Sequence, residues 1–276
     1  MVYIKIEGLD DPWKSRLSCD DESEWRWGPQ VERIDMKAAV AYSGGKDSTR
    51  AIYECLKAGY TVSCLLTIIP ETFGSYLFHY PNARWVKLQA EAMNLPLLSK
   101  EVRGVVDDEL NAFATLLADA VAKYSVECLC SGAVASVYQK NKFNKVASSL
   151  GLKCINPLWG LDGEQILRDA IKLGFKTIVV SVSAAGLDSK WLGRVIDEEA
   201  IEDLKKIKRK YEINLSFEGG EAETFVLDAP MFKKRIEIVS SEVSWDGYIG
   251  FLLIRDAKLV EKESVKVEST EGSGGC

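Results

Sequence analysis

Ser43-Gly44-Gly45-Lys46-Asp47-Ser48 is the stretch of the sequence best equipped to hold a phosphorylated ligand. Gly44 and Gly45 lack a Cβ, so the backbone there can turn sharply and come close to a bound group. Ser43 and Ser48 offer hydroxyl donors, and Lys46 offers a charge that neutralises a phosphate. Asp47 would repel a bare phosphate, so its expected task is to help hold Mg²⁺. The run is not a Walker A loop, which needs Gly-x-x-x-x-Gly-Lys-Ser/Thr, nor the dinucleotide fingerprint. What gives it weight is position: an apolar strand-like run, Ala38 to Tyr42, precedes it, and a helical pattern with Ala51, Ile52, Cys55 and Leu56 follows. Amides at the start of that helix would face an anion.

A second group is acidic. Glu218, Glu221 and Glu223 surround Gly219 and Gly220, and Thr224 follows them. Strand alternation predicts Glu221 and Glu223 on one side. Carboxylates at a strand end can bind Mg²⁺, attract ammonium or take a proton from it. The bland alternative is an exposed acidic turn. Tyr76, His79, Tyr138 and Gln139 lie in loop-like segments, where stacking on a base, lining a substrate pocket and ordinary packing all stay open.

Strands and helices must alternate to place these groups. After the loop helix come Thr61 to Ile69 as a strand, Ala83 to Met93 as a helix and Leu97 to Val102 as a strand. The series continues with a long helix from Val106, a strand at Val126 to Ser131, a helix from Val137 to Leu150 and a strand at Leu152 to Ile155. Such alternation predicts an α/β domain over 36–156, a parallel sheet with helices on both faces. Past residue 157 a charged helix, Asp197 to Tyr211, is followed by short strands at Thr224 to Leu227, Arg235 to Ser240 and Tyr248 to Ile254, which predicts a smaller α+β region to 260. Residues 1–35 read as a leader of unknown role ahead of a natural start at Met36, and 261–276 as a disordered tail.

Composition narrows the class. Of 276 residues, 47% are hydrophobic and 28% charged, which fits a globular core. A net charge of -6 opposes broad nucleic-acid binding. No apolar run reaches membrane-spanning length and no signal peptide opens the chain, so a cytoplasmic location is expected. Seven cysteines with no Cys-x-x-Cys and one histidine, His79, predict reduced, buried thiols rather than disulfides or zinc. Cys128 and Cys130 are expected to pack in the core. Self-association into a homo-oligomer stays open.

Ser-Gly-Gly-x-Asp-Ser at a first strand resembles the PP-loop ATP pyrophosphatases, whose loop grips the pyrophosphate leaving ATP. Further segments resemble the diphthine–ammonia ligase family: Gly74 to His79 with Pro81-Asn82, Gly132 to Ser136 with Tyr138-Gln139, Pro157-Leu158-Trp159, Ala185 to Asp188 with Leu192-Gly193, and Glu218 to Pro230. The resemblance runs from Met36 to about residue 260. It implies an ATP-dependent amide ligase that adenylates the carboxylate of diphthine on translation elongation factor 2 and amidates it with ammonium. It also implies ATP contacts at Tyr42, Ser43 to Ser48 and Gly132, catalysis by Asp47, Glu218, Glu221 and Glu223, and acceptor contacts at Tyr76, His79, Tyr138, Gln139 and Thr224. Lys140 and Lys142 stand where the family often has arginine, so an arginine clamp does not carry over. A thiol glutaminase needs a cysteine with a base, commonly histidine, and none is visible, so free ammonium or an outside donor is expected. The alternatives are a sulfur-transfer enzyme acting on tRNA, a ligase for a small molecule, and a nucleotide sensor without chemistry. The missing cysteine motif and the acidic balance oppose the first.

Overall fold

Apolar residues of period two build the first sheet. The computed structural model describes residues 36–70, 82–102 and 106–262, without the side chains of 106 and 107. The leader thus lies outside the described residues, as does the tail from 263. In strand β1 (Lys37–Ala41) and just beyond it, Val40 and Tyr42 enter one apolar cluster while Ala39 and Ala41 enter another. Strand β2 (Thr61–Pro70) divides likewise, with Val62 and Leu65 on one face and Cys64, Leu66 and Ile68 on the other. Both faces are therefore covered, which a parallel sheet requires. The strand order is β3-β2-β1-β4-β5, with β3 (Leu97–Val102), β4 (Cys128–Cys130) and β5 (Lys153–Ile155), and every pairing is parallel. Helices α1 (Lys46–Lys57) and α2 (Val86–Met93) cover one face; α3 (Val106–Tyr124) and α4 (Val137–Ser149) cover the other. A short 3₁₀ turn, Asn82–Trp85, leads into α2, which therefore begins later than the spacing predicts.

The second region contains helices α5 (Gly163–Lys172) and α6 (Glu198–Tyr211) and an antiparallel sheet in the order β7-β6-β9-β8. Its strands are β6 (Lys176–Val182), β7 (Ala222–Asp228), β8 (Lys234–Trp245) and β9 (Gly250–Glu261). The last two form a hairpin far longer than the predicted strands, because their polar, exposed middle hides the alternation. Glu261 pairs with Lys234 in that hairpin, so it belongs to the sheet and not to a tail.

Among the described residues the two regions share one apolar core. One cluster holds Val40 and Ile52 from the first together with Ile178 and Phe225 from the second. Polar bonds stitch the same boundary: Asn82 donates to the Leu252 carbonyl at 2.8 Å and accepts from the Ile254 amide at 3.0 Å.

Burial sets the state of the thiols. It pushes Cys64 up to about 12, Cys128 to about 11 and Cys154 to about 12. Cys130 is raised too, by burial first and then by Cys55, whose sulfur lies 2.8 Å away. These thiols keep their protons in the fold, whereas the unfolded chain releases them near the ordinary value of 9.0. Their contribution to stability is thus complete below pH 9 and declines as pH rises from 9 towards 12. Thermal melts should show a falling Tm across that window. At pH 8 iodoacetamide should label Cys64, Cys128 and Cys154 at least about tenfold more slowly in the native protein than in denaturant, read by mass spectrometry.

Candidate functional site

The junction of β1 and α1 forms the floor of a cavity of about 640 Å³. Gly44 turns the chain at φ 83°, a conformation that L residues with side chains rarely adopt. Gly45 is the N-cap of α1 and, having no side chain, cannot cap the helix itself. Ser43 and Ser48 hydroxyls lie 3.2 Å apart, and Thr49 Oγ1 donates to the Gly45 carbonyl at 2.8 Å. The loop is therefore braced by its own side chains, with a helix N-terminus directed at the cavity.

Lys46 and Asp47 work as a pair. Lys46 is only 4% exposed, and its Nζ donates to Asp47 Oδ2 and to the Ser216 carbonyl, both at 2.6 Å. An ammonium has three donors, so one remains for a ligand. Its charge also lies 5.2 Å from the centre of the Phe217 ring. Asp47 Oδ1 is buried and finds no hydrogen-bond partner among the described residues. An orphaned carboxylate oxygen beside a phosphate loop fits a hard divalent cation. No group of three or more His, Cys, Asp or Glu among the described residues could hold a metal alone, so phosphate oxygens would have to complete the shell.

Residues far away in sequence close the cavity. Thr224 Oγ1, on β7, accepts from the Lys46 amide at 3.0 Å across 178 positions. The Val226 amide donates to the Gly44 carbonyl at 3.0 Å. Thr224 therefore shapes the phosphate loop as well as lining the cavity. On the other wall stand Gly132, Ala133, Ser136, Tyr138 and Gln139. A Cβ on Gly132 would lie 2.6 Å from the Ser48 nitrogen, so only glycine allows this wall to approach α1. Tyr138 is 47% exposed on the rim, with Lys142 Nζ 5.2 Å from its ring; Lys140 Nζ covers Trp159 at 3.8 Å.

The three glutamates occupy three different situations. Glu218 lines the cavity, and its Oε2 accepts from the Ala135 and Ser136 amides at 3.2 and 2.9 Å, tying it to the N-terminus of α4. Glu221 does not line the cavity: its two oxygens accept from the Asn214 and Gly219 amides at 2.8 and 2.9 Å. It closes the 214–221 loop and does not share the cavity side with Glu223 as alternation predicts. The physical reason is that β7 starts at Ala222, so alternation does not extend back to Glu221. Glu223 is inside β7 and faces the cavity beside Thr224.

Tyr42 supports the loop from beneath. Its side chain is completely buried and its hydroxyl meets Thr49 Oγ1 at 3.1 Å. Burial drives its phenol well above the usual range. Tyr76 and His79 lie outside the described residues. Gln89, Ser216 and Phe217 touch the loop without any local sequence signal, because each reaches it through tertiary contact.

Protonated, buried thiols are poor nucleophiles, so Cys130 and Cys154 are not suited to carry sulfur. Among the described residues no helix is long and apolar enough to cross a membrane.

Comparison with known proteins adds the lineage. Residues 36–154 match the family model for the diphthamide synthase N-terminal domain, and residues 162–260 the model for its C-terminal domain. Diphthine–ammonia ligase from Homo sapiens is 34% identical over 253 residues, covering 83% of this chain and 94% of its own. The Danio rerio enzyme of that name is 31% identical over 84% of this chain and 99% of its own. The Schizosaccharomyces pombe one is longer: 32% identity covers 75% of this chain and 37% of it. A solved chain described as a predicted subunit of tRNA methyltransferase from Methanocaldococcus jannaschii aligns with 71% of this chain and 98% of its own, at 15% identity and a TM-score of 0.36, too loose a likeness to carry an argument.

Proposed function

The chain belongs to the diphthamide synthase family, whose members include ATP-dependent diphthine–ammonia ligases, and on that footing we propose how its cavity performs the reaction and on what. The enzyme is an ATP-dependent amide ligase of diphthamide biosynthesis. Its acceptor is the carboxylate of diphthine on translation elongation factor 2, and its nitrogen donor is free ammonium. The observation that carries the reading is the meeting of the phosphate loop, Gly132 and the Glu218–Thr224 segment around one cavity.

ATP lies with its β and γ phosphates on Ser43 to Ser48. Helix α1 and the third donor of Lys46 stabilise the charge that grows on the leaving pyrophosphate. Asp47, through its orphaned Oδ1, would hold Mg²⁺, which supplies further screening of the phosphates. A carboxylate oxygen of the acceptor attacks the α-phosphorus; the bond to the bridging oxygen breaks, and pyrophosphate departs with the electron pair. The product is an acyl adenylate. Ammonium loses a proton to Glu223, and the resulting ammonia attacks the acyl carbon. The carbon–oxygen bond to AMP then breaks, the nitrogen sheds its second proton to solvent, and the amide remains. Glu218 holds α4, and with it the wall carrying Tyr138 and Gln139, in place for the acceptor. The free thiols of the described core suit a cytoplasmic setting.

Mixing enzyme, ATP, ammonium and diphthine-bearing factor should yield AMP and pyrophosphate in step with amide; ADP plus phosphate would contradict the reading. Glu223→Gln should lower kcat about 10²-fold with saturating ammonium and leave KM for ATP within a factor of a few. Glu221→Gln should instead lower Tm and leave kcat near wild type. Equal, wild-type rates of amide formation in both variants would remove the proton-transfer role.

A further inference from the structure

Gln89 is the buried polar residue of α2, and no chemistry above employs it. It is completely buried, yet both hydrogens of its amide are used: Nε2 donates to the Gly44 carbonyl at 2.9 Å and to the Val226 carbonyl at 2.8 Å. Two carbonyl acceptors leave no choice about which end of the amide faces them. The other end, Oε1, is buried and finds no hydrogen-bond donor among the described residues. A polar residue kept in a core at that cost calls for a reason beyond packing.

The reason lies in one peptide plane. The Gly44 carbonyl and the Gly45 N–H belong to the same trans peptide, so they point in opposite directions. Two donors, Gln89 Nε2 and the Val226 amide, fix the carbonyl at the back of the loop. The Gly45 N–H must then point forward, on the cavity side that Gly45 lines. It donates only weakly to Ser43 Oγ, at 3.5 Å, which leaves it able to take a stronger acceptor. A peptide flanked by two glycines has little of its own to resist rotation, since neither Cα carries a side chain.

We infer that Gln89 is a positioning residue: it sets the Gly44–Gly45 peptide so that the Gly45 amide points at the departing pyrophosphate, and it ties that setting to β7. This rests on the reading that the loop takes pyrophosphate. The latch also makes the nucleotide grip depend on the second region, because the Val226 strand supplies one donor and receives the other bond.

The test measures binding of inorganic pyrophosphate with magnesium, by calorimetry, on the full chain. Gln89→Met keeps the length and loses both donors; its Kd should rise about tenfold, with KM for ATP rising in parallel and KM for ammonium unchanged. Gln89→Glu can donate one hydrogen when protonated and sets an anion against two carbonyls when ionised. Its Kd relative to wild type at the same pH should therefore grow as pH rises through the ionisation of that carboxyl, followed by NMR in the same variant, which a purely structural defect would not do. Wild-type Kd in Gln89→Met, or a ratio in Gln89→Glu that stays flat through that ionisation, overturns the proposal. Should neither variant fold, ¹⁵N-labelled wild type decides: the Gly45 amide should move downfield on adding pyrophosphate, and no movement while its loop neighbours shift overturns it. Failure of wild type to bind pyrophosphate at all would instead remove the reading of the loop beneath it.

Discussion

Gly132→Ala is expected to reduce kcat/KM for ATP by about 10²-fold or more while the protein still folds. The added Cβ would sit 2.6 Å from the Ser48 nitrogen, 2.7 Å from the Asp47 carbonyl carbon and 2.8 Å from its oxygen. All three are backbone atoms at the first turn of α1, so no flexible side chain can yield. Either the loop after β4 backs away and opens the wall, or α1 shifts and carries Ser48 and Asp47 with it. Catalysis by positioning tolerates displacements of this size poorly. Pyrophosphate release measured against ATP concentration gives the loss, and a Tm within several degrees of wild type shows that it arises in the site. Unchanged kcat/KM would mean that this wall does not bear on the nucleotide.

Lys46→Met should have a comparable or larger effect, about 10³-fold in kcat/KM, because it removes the only lysine among the described residues that line the cavity. The pair it breaks is nearly buried, with side-chain exposures of 5% for Lys46 and 22% for Asp47. Without the ammonium, the Asp47 carboxylate and the Ser216 carbonyl lose their shared donor, so Tm should fall as well. Lys46→Arg keeps the charge but should not restore the rate. A planar guanidinium cannot take the compact place of an ammonium held between Asp47, Ser216 and the Phe217 ring. Asp47→Asn separates the partners: it retains Lys46 and should raise the magnesium requirement in the same assay. Full activity of Lys46→Met would leave the leaving group without the cation assigned to it.

Local chemistry explains which parts could be read from the chain. The phosphate loop was legible because strand, double glycine and helix follow one another within about 20 residues. The parallel sheet was legible from its alternating segments, as was the change of pattern after residue 157. Tyr42 and Glu221 show where such reading stops. A tyrosine beside a glycine loop looks the same in sequence whether its ring is exposed or buried, and its burial against Thr49 emerges only in the folded chain. Glu221 sits one residue before its strand begins, and a one-residue shift in strand start reverses the side on which a side chain falls. Thr224, Val226, Gln89 and Ser216 reach the loop across 45 to 182 positions, and no spacing rule operates at that range.

That distance also carries the functional point. Three of the bonds that hold the phosphate loop come from β7 and the segment before it, so the proposed nucleotide and acceptor halves of the reaction share one set of bonds. Diphthine-bearing elongation factor labelled with ¹⁸O in the reacting carboxylate tests the chemistry assigned to that shared site. One labelled oxygen should appear in AMP and none in pyrophosphate, with the amide keeping the other. AMP free of label, or ADP in its place, would contradict adenylation of the acceptor.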